Sequence, residues 1–134
     1  FTKAFYRAMD EIHIDFLERE KTVFSKIHKI AGTLDILAKV DGNVYVLDVK
    51  TGKGIYPEAF LQTSAYKSML EEEGQKVDGV GVLLLKEDGS YTFETRIDVE
   101  AETKAFFACK TLYEGLHKED LGKIGYGKEE QNGE

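Results

Sequence analysis

Asp41-Gly42 stands between two apolar, β-branched runs in the stretch Leu34 to Lys50, which reads LDILAKVDGNVYVLDVK. No other feature restricts the chain as strongly. A two-residue type I′ turn needs φ > 0 at both central positions, which Asp-Gly supplies, and its twist suits two antiparallel strands. The segment is therefore expected to form a hairpin. With Asp41-Gly42 as the turn residues, Val40 faces Asn43 and Asp35 faces Asp48; with Gly42-Asn43 in the turn, Asp35 faces Lys50 instead. Both registers leave Asp35, Asp48 and Lys50 on one face, because strand side chains alternate.

Both faces of this hairpin are otherwise largely apolar, with Leu34, Ile36, Ala38, Tyr45, Leu47 and Val49 on one and Leu37, Val44 and Val46 on the other. Central strands are the expectation. Two neighbouring carboxylates in such a setting repel by several kcal/mol at an effective dielectric constant of about 20, so a positive group has to lie near them. Lys50 is one. A hard divalent cation answers the geometry better, since Mg²⁺ needs only one or two protein carboxylates and fills its other positions with water and substrate phosphate. His13, His28, His117 and the single cysteine, Cys109, make no pair at zinc spacing.

The rest of the chain frames these strands. Phe1, Ala4, Phe5 and Ala8 recur at helical spacing over Phe1 to Met9. Ile12 to Phe24 then alternates as a strand, with Ile12, Ile14 and Phe16 on one face and Glu18 and Glu20 continuing it if no bulge intervenes. A Ser25 to Lys29 connection centred on Ile27-His28 would bring Glu20 opposite Asp35. Pro57 suits the first turn of a helix, Glu58 its positive end and Gly74 its C-terminal cap. Within that helix Gln62 and Tyr66 lie on one face. Val77 to Lys86 and Tyr91 to Ile97 read as strands around an Glu87-Asp88-Gly89 turn. Asp98 then caps a helix whose Ala105, Phe106, Cys109, Leu112, Tyr113 and Leu116 form an apolar stripe, which makes Cys109 a core residue rather than a nucleophile.

Gly32-Thr33-Leu34-Asp35, then Asp48-Val49-Lys50-Thr51, then Gln62-Thr63-Ser64-Ala65-Tyr66 follow one another in an order that resembles the PD-(D/E)XK nuclease superfamily. Within it the likeness is to the RecB-like, phage-type exonuclease branch, in which a G-x-x-D strand, a D-x-K strand and a Q-x-x-x-Y helix succeed each other. The match runs from Glu20 to Tyr66. It implies a restriction-endonuclease-like α/β (α+β) fold, a mixed sheet of about five strands flanked by helices, with residues 1–116 as a single nuclease core and 117–134 as a polar, frayed or disordered tail. It also implies Asp35, Asp48, the Val49 carbonyl and Glu20 as ligands of Mg²⁺ or Mn²⁺, and Lys50 as the residue that positions water or neutralises the transition state. Gln62 and Tyr66, with Thr51 and Lys53 beside them, would hold the DNA. The upstream histidine ligand of many RecB-like enzymes has no counterpart here, because His13 falls in or near a strand.

Isolated look-alikes are weaker. Glu102-Thr103-Lys104 also fits [DE]-x-K, but in a helical pattern where residues two apart diverge. Thr51-Gly52-Lys53-Gly54 lacks the spacing of a phosphate-binding P-loop.

The 134 residues suffice for one domain with a real core. A net charge of −7 argues against a general electrostatic grip on DNA, yet Lys21, Lys26, His28 and Lys29 gather before Asp35, and Lys50, Lys53 and Lys67 flank the later motifs. A partner in a larger nuclease assembly, or a second copy, could add affinity. No apolar run is long enough for a membrane span and no signal-peptide pattern opens the chain, so a cytoplasmic protein is expected. The start at Phe1 is what a fragment of a longer chain would show. The expected function is metal-dependent exonucleolytic hydrolysis of DNA with single-stranded ends, in repair, recombination or phage DNA processing. A nuclease fold kept only as a DNA-binding or assembly subunit is the alternative; a sugar hydrolase is disfavoured by Lys50 and by the lack of tryptophan.

Overall fold

The computed structural model describes residues 1–123, with side chains as far as residue 116. The elements run α1 (Thr2–Glu11), β1 (Ile14–Ser25), β2 (Ile30–Val40), β3 (Asn43–Thr51), α2 (Pro57–Glu72), β4 (Gly79–Leu85), β5 (Tyr91–Arg96) and α3 (Glu100–Lys123). The strands form one mixed sheet in the order β1-β2-β3-β4-β5, antiparallel except for the parallel β3–β4 pair. This is the expected α+β architecture. The parallel pair exists because α2 carries the chain back across the sheet, as a crossover between parallel strands requires.

Asp41 and Gly42 form the turn, with φ of 52° and 84°, and Val40 pairs with Asn43. The ladder continues to Ile36 and Leu47, which makes Asp35 and Asp48 the next residues outward on the two strands. Both strands are interior to the sheet, as their apolar faces required.

The two faces carry different helices. Leu37, Val46, Val80 and Val82 pack with Phe60, Met69 and Leu70 of α2 and Phe107 of α3, whereas Leu83 and Leu85 pack with Ala4 and Ala8 of α1. Phe60, Met69 and Leu70 are almost wholly buried, and burying a side chain of this size contributes on the order of 2 kcal/mol. Pro57 occupies the start of α2. At its other end the Gly74 N–H donates to Glu71 O and the Gln75 N–H to Leu70 O, with Gly74 at φ 90°; this is the Schellman arrangement, in which a left-handed residue closes the helix. Val44 and Asp78 exchange hydrogen bonds of 2.8 and 2.7 Å that fix where β4 begins beside β3.

Several expectations give way. A bulge between Phe16 and Glu18 interrupts β1, so the run from Ile14 to Glu20 does not keep one alternating face, and Ile12 caps α1 instead of joining the strand. Leu34 belongs to the same buried cluster as Leu37, three residues away, rather than to the face of Ile36 and Ala38. Strict alternation would separate the two, and Asp35 lies between them. Opposite that point, Glu20 has φ 50°, a left-handed conformation unusual for a residue with a side chain.

The α3 stripe is only half used. Phe107 is buried and Phe106 packs against the core, but Leu112 and Leu116 are 64% and 52% exposed and Cys109 is exposed too. Cys109 is therefore not a core residue: within the described chain α3 leans on α2, and beyond Phe107 it runs past the surface that would bury it. The helix backbone also continues to Lys123, past the expected boundary at residue 116. The remaining part of the expected tail, residues 124–134, lies outside the described residues.

Candidate active site

Asp35, Asp48, Lys50, Gln62 and Tyr66 line one small pocket of about 140 Å³, together with Thr33, Leu47 and Thr63. Each arrives for a local reason. The hairpin register brings Asp35 beside Asp48, strand alternation sets Lys50 on the same face as Asp48, and the four-residue spacing on α2 turns Gln62 and Tyr66 together toward the sheet.

Asp48 is buried, 8% exposed in all, on a strand whose neighbours are apolar. Burial first, and then the Asp35 carboxyl beside it, push its pKa up to about 7; Lys50 pulls in the other direction. The Lys50 Nζ lies 3.2 Å from Asp48 Oδ2 as an ion pair, and no well-aligned hydrogen bond reaches that oxygen. A buried carboxylate oxygen compensated only by one half-exposed ammonium leaves room for a further cation.

Tyr66 reaches over Gly32, the glycine of the G-x-x-D stretch. A Cβ at that position would stand 2.7 Å from Tyr66 Cε1, closer than real contacts allow. Only glycine leaves the ring its place. Burial and the Asp35 and Asp48 carboxylates raise the Tyr66 pKa, keeping the phenol protonated and able to donate. Thr63, which sequence reasoning passed over, is buried against the pocket and donates to Ala59 O at 2.9 Å.

The remaining candidates lie apart from this group. Glu20 falls opposite Asp35 by register, between the Arg19–Ile36 and Lys21–Leu34 pairs, but it is exposed on an edge strand and does not line the pocket. The Val49 side chain packs toward the α1 cluster, so only its main chain is near the site. Thr51 and Lys53 line a neighbouring groove. His13, between α1 and β1, is exposed, and His28 stacks on Phe107 with ring centroids 3.6 Å apart. Among the described residues no three His, Cys, Asp or Glu side chains converge as a metal-holding group; the pocket offers two carboxylates. Of the lysines expected to form a positive surface, Lys21 is tied to Glu18 and Lys67 to Glu71. Glu102 and Lys104 of the look-alike triplet sit on α3, paired with Arg96 and Glu100. Among the described residues no helix is long and apolar enough to cross a membrane.

No family model matches the chain, and no curated protein matches it significantly.

Proposed function

We propose that this chain is a metal-dependent deoxyribonuclease of the PD-(D/E)XK kind, hydrolysing DNA phosphodiesters from strand ends. One observation supports the reading above the others: two carboxylates, an ammonium, an amide and a phenol, drawn from two strands and a helix, line a single polar pocket. Asp48 Oδ2, buried beside Asp35 with the half-exposed Lys50 ammonium as its neighbour and no well-aligned hydrogen bond, is the kind of oxygen that a hard cation completes. Asp35 and Asp48 would hold Mg²⁺ or Mn²⁺, with the Val49 carbonyl available from the main chain between Asp48 and Lys50. Such an ion lowers the pKa of water and withdraws charge from a phosphate.

The chain's own groups do the rest. Lys50 sets an ammonium beside the carboxylates, where it can orient the attacking water and offset the extra negative charge of a five-coordinate phosphorus. The Tyr66 O–H and the Gln62 amide N–H groups donate to non-bridging phosphate oxygens and hold the diester in line. Lys53 and Thr51 extend the contact along the strand. Repair, recombination and phage DNA processing all present the DNA ends that such a site needs.

Labelled single- and double-stranded DNA incubated with Mg²⁺, Mn²⁺ or EDTA tests this directly. The parent should cut with either metal and stop in EDTA. Asp48→Ala should not cut and Lys50→Ala should cut about 10²- to 10³-fold more slowly, while circular dichroism shows both folded. Cleavage that persists in EDTA, or a folded parent that binds DNA without ever cutting it, overturns the assignment; the latter would make the chain a DNA-binding or assembly subunit.

A further inference from the structure

A second cavity, of about 410 Å³, adjoins the carboxylate pocket and shares Lys50 and Gln62 with it. It is formed by the connection between β3 and α2 and by the first turns of α2, and its size falls in the range of small-ligand sites. Tyr56 lines it and is 66% exposed. The residue sits at φ −102° and ψ 151° directly before Pro57, and a residue before proline is confined to extended conformations. Its ring therefore projects from a stiff mount with most of its surface uncovered.

The other walls are equally specific. Lys53 lines the same cavity and, among the described residues, makes no ion pair, whereas Lys50 and Lys67 are held by Asp48 and Glu71. Gly52 and Gly54 have nothing within 4 Å of where a Cβ would stand, and Gly52 has φ 143°, so the main chain is open to close approach. Glu58 also lines the cavity; a carboxylate repels a phosphate but accepts from the exocyclic amine of a base.

From these features we infer that the groove is a nucleotide subsite for a single strand, in which the base next to the scissile phosphate stacks on Tyr56 and the following phosphate lies at Lys53. The inference rests on the phosphodiesterase reading, which places the scissile phosphate in the adjoining pocket. Duplex DNA keeps its bases stacked on one another, so only a frayed or single-stranded end can offer a face to the ring. The subsite thus selects ends over continuous duplex.

Fluorescence anisotropy in EDTA, with a labelled oligothymidylate and an abasic deoxyribose-phosphate strand of the same length, isolates the stack from the phosphate contacts. The parent should bind the thymidylate about tenfold more tightly, the effect of one base–aromatic stack. Tyr56→Ala should lose that preference and Tyr56→Trp should keep it. A preference that survives Tyr56→Ala, or a parent that shows none, overturns the subsite. Cleavage of the same thymidylate in Mg²⁺ is read separately: a base preference at Tyr56 without any cleavage leaves the subsite standing and removes the hydrolase reading.

Discussion

Lys50 Nζ and Asp48 Oδ2 are 3.2 Å apart, yet the lysine side chain is 48% exposed and the aspartate side chain only 11%. A solvent-facing ammonium thus leans over a carboxylate that is sunk in the sheet, and the two differ in what they lose if separated. Lys50 can return to water; Asp48 cannot.

Removing the lysine should therefore affect chemistry more than folding. Lys50→Ala is expected to lower the cleavage rate about 10²- to 10³-fold, the effect of losing one preorganised stabilising group. A half-exposed ion pair contributes at most about 1 kcal/mol to stability. Single-turnover cleavage assays and urea unfolding of the same preparation check both halves.

In EDTA the stability of the parent should fall as pH rises from about 4 to about 7 and level off above that. Asp48 holds its proton in the folded chain up to about pH 7, against an ordinary value of 3.8. Between these values the folded state binds more protons than the unfolded one, so this contribution is complete below about pH 4 and lost as pH passes 7. Asp48→Asn should be more stable than the parent at pH 8, by about 1–2 kcal/mol once screening by solvent and Lys50 is allowed for, and close to it at pH 4. Urea titrations at the two pH values decide this; equal stabilities at pH 8 would contradict the burial assigned to Asp48.

Gly32→Ala should displace the Tyr66 ring, because the added methyl would lie 2.7 Å from Tyr66 Cε1. Overpacking of this kind costs about 1–3 kcal/mol. Truncating the ring relieves the clash, so the double variant Gly32→Ala/Tyr66→Ala should be less destabilised than the two single effects added together. Additive effects in thermal or urea unfolding would show that the two residues do not press on each other.

Glu20 sits in a left-handed conformation, φ 50°, on an edge strand outside the pocket. Glycine adopts that conformation without the penalty of a Cβ, so Glu20→Gly should be neutral or stabilising by up to about 1 kcal/mol. Calorimetric titration with Mn²⁺ should show Asp35→Ala abolishing binding and Glu20→Gly leaving it nearly unchanged. Loss of binding in Glu20→Gly would return that residue to the metal site.

Arg96 stacks 3.8 Å above the Phe60 ring and pairs with both Glu94 and Glu102 at 3.0 Å, joining β5, α2 and α3. Arg96→Ala should lower stability by about 1–2 kcal/mol through lost packing as much as lost charge, seen as a lower thermal midpoint.

Much of this arrangement was legible in short stretches of the chain. Asp41-Gly42 specified a turn with two positive φ values, and counting outward from it set Asp35 beside Asp48; Pro57 and Gly74 marked the ends of the helix that carries Gln62 and Tyr66. Such features depend on a few consecutive residues, whose allowed backbone angles and alternation are intrinsic. Other features depended on which surface another element happens to cover. Leu34 joins the buried cluster of Leu37 rather than that of Ala38, Cys109 and Leu112 lie exposed because α3 outruns the surface beneath it, and Glu20, opposite Asp35 by register, is exposed and does not line the pocket. The high pKa of Asp48 and the groove under Tyr56 belong to the same class. Burial and electrostatic environment are sums over neighbours distant along the chain, and those neighbours are assembled only when the sheet and helices pack.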